Sequence, residues 1–484
     1  MEATKPRLYI ALLVALAATL SFFVWMRQGI TLDEAQSVWQ TSRTLPGVIN
    51  VIAKDVHVPL YFVLLHFWEL AFGTGAIALR SLSVIFFLAS IPAMYALGRE
   101  AYSRRVASVA ALLTAISPFL NWYGSEARMY SLMFLVTALS HLCFIRLWKR
   151  PGPAVWTAFA LTSILGTFTH PFFVFILFVQ CAFFVMKRGI FPEGSTWRFS
   201  ISVCAAGAAA GAWLVYRHIA GAGLTNPVLA RPSSVDLSNV FSNFFIGFQS
   251  DWVNALILSF WPLLVLASFT FIARKHPPRP ETSYFAAASF VPIALAFVVS
   301  ATLQPIFLSR YLIICLPSLY ALVIYLLSTY RRATSDMLVS ALVLGMLAAL
   351  SAQAIEPSSP VKEGFREAAA YVEQGIMPTD LFVVSAPFLT YPVEYYYRGA
   401  ARLDTFPKWE RYAKDSVPAP FSMNDLATTS AAWARTYNRL FLLLGYDQGY
   451  NEDIRIYMDE HYQRLDTQTF SRGLALYVYK LRYP

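Results

Sequence analysis

Leu8–Met26 reads LYIALLVALAATLSFFVWM, an uncharged run preceded by Lys5 and Arg7 and followed by Arg27-Gln-Gly-Ile-Thr31-Leu-Asp33-Glu34. The run is long enough to cross a hydrocarbon layer of about 30 Å. A cleavable signal carries an apolar stretch of only about 7–15 residues, so the reading is a retained signal-anchor. Its N-terminus is then inside, and the acidic pair is delivered to the opposite face. A mere anchor has no need of two carboxylates there, so the placement points to chemistry at the outer membrane surface.

The rest of the chain has the same character. Of its 484 residues 57% are hydrophobic and only 14% charged, against about 25% charged in soluble domains. Eleven spans are predicted: 8–26, 76–97, 106–122, 130–145, 154–169, 172–186, 199–216, 255–273, 284–301, 311–329 and 337–355. Lys and Arg in short loops collect on the cytoplasmic side. With the N-terminus inside, the inner segments hold sixteen such residues and the longer outer loops between spans seven. The net charge of +10 therefore reflects topology, and nucleic acid is not expected as a partner. Val58–Phe72 (VPLYFVLLHFWELAF) is apolar but short and contains His66 and Glu69. Reading it as a span would invert every later loop, so it is expected as an interfacial helix within the outer loop 27–75. Cys143, Cys181, Cys204 and Cys315 all lie in apolar spans and form neither a disulfide framework nor a metal cluster.

From Glu356 onward the pattern changes. Asp380-Leu-Phe-Val-Val-Ser, Leu440-Phe-Leu-Leu-Leu and Leu474-Ala-Leu-Tyr-Val-Tyr read as strands, with a helix over Lys362–Gln374 before them. The expected fold class is thus a polytopic α-helical membrane protein, residues 1–355, with a small α/β domain, 356–484. The odd number of spans puts that domain outside.

Several outer segments carry residues able to do chemistry. Thr31-Leu-Asp33-Glu34 fits a capping box, with Glu34 reaching back to Thr31. Asp33 is not needed for the cap and could accept a proton from an incoming hydroxyl. Lys54-Asp55-Val-His57-Val-Pro59-Leu-Tyr61 brings His57 and Tyr61 to the start of the interfacial helix; a helix-start cap and an interfacial anchor are their plainer readings. Ser125-Glu126-Ala-Arg128-Met-Tyr130 is dense for a turn between spans, although a Glu126–Arg128 surface pair would account for it. His170 sits at an outer turn before Pro171, and Arg310-Tyr311 opens the tenth span. Arginines in short outer loops run against the charge bias. Arg128 and Arg310 suit an anionic lipid headgroup or pyrophosphate-like group, which guanidinium binds with a planar set of donors.

The sequence has no P-loop, dinucleotide fingerprint, H-E-x-x-H, nucleophile elbow or C-x-x-C. The spans hold almost no midplane charge, which disfavours an ion-coupled transporter.

Taken in order, Asp33-Glu34, His57-Val-Pro59-Leu-Tyr61, Phe72-Gly73, Leu79-Arg80-Ser-Leu-Ser, Ser117-Pro118-Phe, Ser125-Glu126-Ala-Arg128-Met-Tyr130, Thr169-His170 and Arg310-Tyr311 resemble the GT-C superfamily of membrane glycosyltransferases. The likeness is to bacterial relatives of the dolichyl-phosphate-mannose protein mannosyltransferases and of the aminoarabinose lipid A transferase. It covers residues 1–330. The resemblance implies a polyprenyl-phosphate-linked sugar donor, an acceptor on the outer face (glycan, lipid or protein), and an inverting displacement. It makes Asp33 the presumed base and Glu126 the second-loop acid, with Arg128 and Arg310 on the lipid phosphate. Glu34, His57, Tyr61, Tyr130, His170 and Tyr311 complete the candidate substrate-binding set. At His57 the chain departs from the His-Pro-Pro of relatives, because Val58 interrupts the prolines. Some members bind a divalent metal between first- and second-loop acids, here Asp33 and Glu126; two acids are too few to commit to an ion. The competing readings are a glycan polymerase or ligase using a lipid-diphosphate donor, a flippase for lipid-linked sugars, and a non-catalytic scaffold.

Overall fold

The computed structural model describes residues 4–26, 28–221, 229–248, 279–356, 361–411 and 418–482. It divides into two compact units. One comprises residues 1–27 and 41–356, the other residues 28–40 and 357–484. Element numbers below refer to the described residues.

The first unit is all helical. It opens with α1 (Thr4–Leu20), continued by a π-helical turn, Ser21–Trp25. The segment 27–75, expected as an outer loop with two or three short helices, is indeed helical. Its ordered pieces are α2 (Leu32–Thr41, assigned mostly to the second unit), α3 (Leu45–Lys54) and α4 (Leu60–Phe72). Then come α5 (Ala76–Ala101), α6 (Arg104–Ile116), α7 (Pro118–Gly124), α8 (Tyr130–Lys149), α9 (Pro153–Thr169), α10 (Phe173–Met186), α11 (Ser195–Ile219) and α12 (Ser234–Ile246). α13 (Pro280–Thr302), a 3₁₀ turn at Tyr311–Cys315 leading into α14 (Leu316–Leu327), and α15 (Arg332–Ile355) complete it.

Ten of the eleven expected spans fall on helices; 255–273 lies outside the described residues. Among the described residues, six helices are long and apolar enough to cross a membrane: Pro6–Trp25, α5, α8, α11, α13 and α15. α6 and α7 make a seventh if taken as one span bent by 59°. The bend is written in the sequence. Pro118 opens α7, Ser117 Oγ accepts the Leu120 amide at 3.1 Å, and Asn121 Nδ2 donates to the carbonyls of Ala115 and Ser117 at 2.9 Å. The remaining expected spans are the shorter helices α9, α10 and Tyr311–Leu327.

Helix ends sort by charge. Glu100 pairs with Arg146 at 3.1 Å and Arg150 at 3.4 Å, Lys149 with Glu281 at 2.7 Å, and Arg105 with Asp336. Loops assigned to the inner side by charge counting therefore meet one another. Between them, buried polar side chains join α8, α10 and α13. Gln180 Nε2 donates to Ser140 Oγ at 3.0 Å and Tyr284 Oη at 3.2 Å, and His141 Nδ1 lies 2.6 Å from the same Tyr284 oxygen. Such bonds hold helices together where lipid gives little hydrophobic drive.

The second unit is a sheet between two helical layers. β1 (Leu381–Ser385), β2 (Arg402–Thr405), β3 (Arg439–Leu444), β4 (Gln463–Ser471) and β5 (Leu474–Lys480) run in the order β2-β1-β3-β5-β4. β1 is parallel to β2 and β3, whereas β5 is antiparallel to β3 and β4. β1 and β3 are buried on both faces, so they read as continuous apolar runs. On one face Phe382, Val384, Phe441 and Leu443 pack against α16 (Phe365–Gly375) and α17 (Thr390–Tyr396). On the other, Leu381, Val383, Leu440 and Leu442 pack against α18 (Met423–Thr436) and α19 (Asn451–His461).

The placement of residues 28–40 corrects the linear division at 356. Leu32 joins the core formed by α16, α17 and the sheet, and Trp39 packs on Tyr391 with ring centroids 5.1 Å apart. Apolar packing, and not chain order, decides which unit owns the segment.

Gly124 ends α7 where the chain turns into Ser125–Arg128, and a Cβ there would lie 2.7 Å from Cγ of Phe87 on α5. Gly124→Ala is expected to cost about 1–3 kcal/mol through overpacking, read as a lowered thermal midpoint of the detergent-solubilised protein. Gly207→Ala on α11, where nothing lies within 4 Å, should leave the midpoint unchanged or slightly raised.

Candidate active site

In the first unit, residues far apart in sequence meet at the ends of helices that charge counting puts outside. The centre is a three-membered chain. Asp55 Oδ2 lies 3.0 Å from His57 Nδ1, and His57 Nε2 lies 2.8 Å from Arg128 Nη2. Guanidinium can only donate, so His57 Nε2 is the acceptor. The imidazole is therefore the neutral tautomer with its proton on Nδ1, directed at Asp55. Burial alone would raise the Asp55 carboxyl. The His57 ring, the Val56 amide and the charge of Arg128 reverse that and hold it well below the usual carboxylate range. His57 thus neither caps α4, whose N-cap is Pro59, nor faces solvent.

Arg128 is buried, at 3% exposure, and its guanidinium lies 5.9 Å from the centroid of the Phe62 ring. Its backbone is braced from below. Tyr61 Oη is 2.7 Å from Ser83 Oγ, which donates to the Arg128 carbonyl at 3.2 Å. Tyr61 is completely buried, so it serves as support for this loop and not as an interfacial anchor. The Arg128 amide donates to the Glu126 carbonyl at 2.7 Å, a tight turn that buries both side chains and excludes the surface-pair reading. Tyr130 is fully buried, edge-on to Tyr123.

His170 follows α9 in the same cluster. Its ring is 4.9 Å from that of Tyr311, and its Nδ1 accepts the Phe172 amide at 3.2 Å. Neutral His170 therefore carries its proton on Nε2. Burial first, then the neighbouring groups His57, Arg128 and Arg310, push it down to about 3. Arg310 precedes the 3₁₀ turn, where its guanidinium lies 5.7 Å from the Tyr311 ring centroid. The neighbouring Ser309 Oγ accepts from Asn243 Nδ2 on α12 at 3.1 Å. The result is a basic cluster with aromatic faces, buried at His57, Arg128 and His170 and half-buried at Arg310, suited to an anionic group carrying an apolar tail.

The first-loop acids belong to the second unit. Glu34 and Thr31 make the reciprocal cap: Glu34 Oε2 accepts the Thr31 amide at 2.9 Å and Thr31 Oγ1 the Glu34 amide at 3.3 Å. Glu34 is fully buried in that role, whereas Asp33 beside it is half-buried. Among the described residues, no group of three or more His, Cys, Asp or Glu side chains could hold a metal ion.

Sequence reasoning named most of the basic cluster but missed Asp55, Phe62 and Ser83. Asp55 stands two residues before His57 in an extended segment; spacing alone does not distinguish a buried partner from a solvated loop acid.

No protein-family model and no curated protein sequence matches the chain. Among solved structures it is similar to ArnT from Cupriavidus metallidurans in the apo state, with TM-score 0.66 and 12% identity, over 99% of this chain and 98% of that one. The same protein bound to undecaprenyl phosphate matches with TM-score 0.57 and 14% identity, over 98% of each chain. The mycobacterial arabinofuranosyltransferase AftD matches with TM-score 0.53 and 13% identity, over 99% of this chain and 40% of that one. The chain has the fold of the GT-C glycosyltransferases.

His170 gives this cluster a pH signature. Its ordinary value is near 6.5, so between about 3 and 6.5 the unfolded chain binds a proton that the folded chain refuses. The stabilisation is complete above about pH 6.5 and is lost as pH falls, by at most about 1.4 kcal/mol per unit. The thermal midpoint is expected to drop from pH 7 to 5, and to drop less steeply in His170→Gln. Equal slopes in the two proteins would contradict the assignment.

Proposed function

We propose that the chain is a glycosyltransferase that moves a sugar from a polyprenyl-phosphate donor to an acceptor hydroxyl or amine at the periplasmic face of a bacterial inner membrane. The observation that carries this reading is the basic cluster of His57, Arg128 and His170, all buried, with half-buried Arg310 beside them. It occurs in a fold shared with ArnT, one of whose crystal structures holds undecaprenyl phosphate. The topology proposed with it has eleven spans, a cytoplasmic N-terminus and a periplasmic C-terminal domain; the sixteen-to-seven distribution of basic residues supports it.

In the proposed reaction the acceptor atom attacks the anomeric carbon while Asp33 takes its proton. The bond from that carbon to the phosphate oxygen breaks, and its electron pair leaves with polyprenyl phosphate. Configuration inverts because attack and departure occur on opposite faces. An inverting hydrolase needs a second carboxylic acid to protonate its leaving group. A phosphate leaving group largely removes that need, and what it requires instead is positive charge placed in advance. Arg128 and Arg310 supply it, and Nε2–H of His170 adds a neutral donor. His57 and Asp55 hold Nη2 of the Arg128 guanidinium from one side. Glu34, capping the helix, holds Asp33 at the helix start.

The test follows polyprenyl phosphate released from short-chain polyprenyl-phosphate sugars in the presence of an outer-membrane glycolipid extract. Asp33→Asn is expected to slow release by about 10²- to 10⁴-fold. Arg128→Ala and Arg310→Ala should each cost about 100-fold or more. Release undiminished in Asp33→Asn would remove the base, and release absent with every donor tried would favour a diphosphate donor or transport.

A further inference from the structure

Helix α2 carries the proposed base, yet what holds it lies more than 300 residues away. Glu363, just before α16, accepts the Leu32 amide on Oε2 at 2.7 Å, and its Oε1 accepts the Tyr446 hydroxyl. Tyr446 follows β3 in a left-handed backbone conformation, φ 47°, that tyrosine rarely adopts. One residue pair along, Tyr396 Oη on α17 accepts the Ile30 amide at 2.6 Å. Gly29 runs so close to the Glu363 backbone that a Cβ would lie 3.2 Å from its carbonyl oxygen. The far end of the helix is clamped as well. Trp39 packs on Tyr391, and the Arg411 guanidinium sits 5.5 Å from both ring centroids.

A helix start leaves its first amides without intrahelical partners. Thr31 and Glu34 satisfy one another's amides, and Glu363 takes the amide of Leu32, next to Asp33. Burial first, and then the charges of Asp33 and Glu34, raise the Glu363 carboxyl to about 7 against the bonds from Tyr446 and Leu32. The three carboxylates therefore share one electrostatic neighbourhood. It lies wholly within the second unit.

We infer that Glu363 is a positioning residue for the transfer: by binding the Leu32 amide it fixes the first turn of α2, and with it the orientation of Asp33. This rests on Asp33 being the base. Tyr446 orients Glu363, and Tyr396 holds the preceding residue in line. The C-terminal domain thus takes part in placing the proton acceptor.

The test compares wild type, Glu363→Ala, Glu363→Gln, Tyr396→Phe and Asp33→Asn by amide hydrogen exchange over residues 28–40 and by steady-state release of short-chain polyprenyl phosphate. Glu363→Ala is expected to speed exchange across 29–34 and lower kcat by about 10- to 100-fold, as misplacement of a reacting group does, with the donor KM within about twofold. Glu363→Gln keeps an acceptor for Leu32 and a donor for Tyr446 and should recover most of both. Tyr396→Phe, which loses only a hydroxyl, should speed exchange at Ile30 and lower kcat more mildly. Unchanged exchange in Glu363→Ala, or a Gln variant as impaired as Ala, would overturn the inference. Undiminished turnover in Asp33→Asn would instead overturn the catalytic reading, leaving exchange alone to decide whether Glu363 holds the helix.

Discussion

The basic cluster depends on one constraint: a guanidinium cannot give up its proton, so whatever faces it must accept. At Arg128 that partner is an imidazole nitrogen, and the other nitrogen of the ring is tied to Asp55. The carboxylate fixes the tautomer, the tautomer fixes the acceptor, and the acceptor fixes the plane of the guanidinium. An arginine held this way delivers its charge to one place without reorganisation when a leaving group develops negative charge. Ser83 and Tyr61 brace the same loop through its backbone. Each link is a short-range contact between segments that the chain supplies separately, which is why the cluster needs the whole helical unit to exist.

The two ends of that unit show different uses of charge. At one end acidic and basic side chains neutralise one another, as with Glu100 between Arg146 and Arg150. At the other, positive groups gather with aromatic rings and drive His170 to its neutral form. Concentrating like charge in a buried place is unfavourable unless an anion offsets it. Asp55 supplies one such negative charge, and the phosphate of the proposed donor would supply another.

Legibility in the sequence followed burial. Helices of the first unit could be read because apolar runs of sufficient length have few alternatives, and the strands β1, β3 and β5 because both or one of their faces are apolar. β2 and β4 escaped notice as edge strands; Gln463–Ser471 is largely exposed and polar, without the alternation that marks a strand. α12 falls between the expected spans 199–216 and 255–273, where Ser233-x-x-Asp236 makes a capping box ahead of its apolar positions. The sequence motifs singled out His57, Arg128, His170 and Arg310 because an arginine or histidine in a short outer turn is costly without a purpose. Asp55 and Glu363 could not be found that way. A lone acid in a polar segment looks the same whether it solvates a surface or accepts a buried amide, and only folding tells them apart.

Residues 28–40 belong to a domain whose remaining chain begins more than 300 residues later. That has a consequence for how such proteins can be rearranged. A C-terminal domain exchanged between relatives would arrive without its first helix and would meet a foreign one on the α16–α17 face. Chimaeras should therefore be cut so that the first-loop helix travels with the domain. By the same logic, a truncation at residue 356 does not isolate the helical unit intact, because it also strips α2 of the surface it folds against.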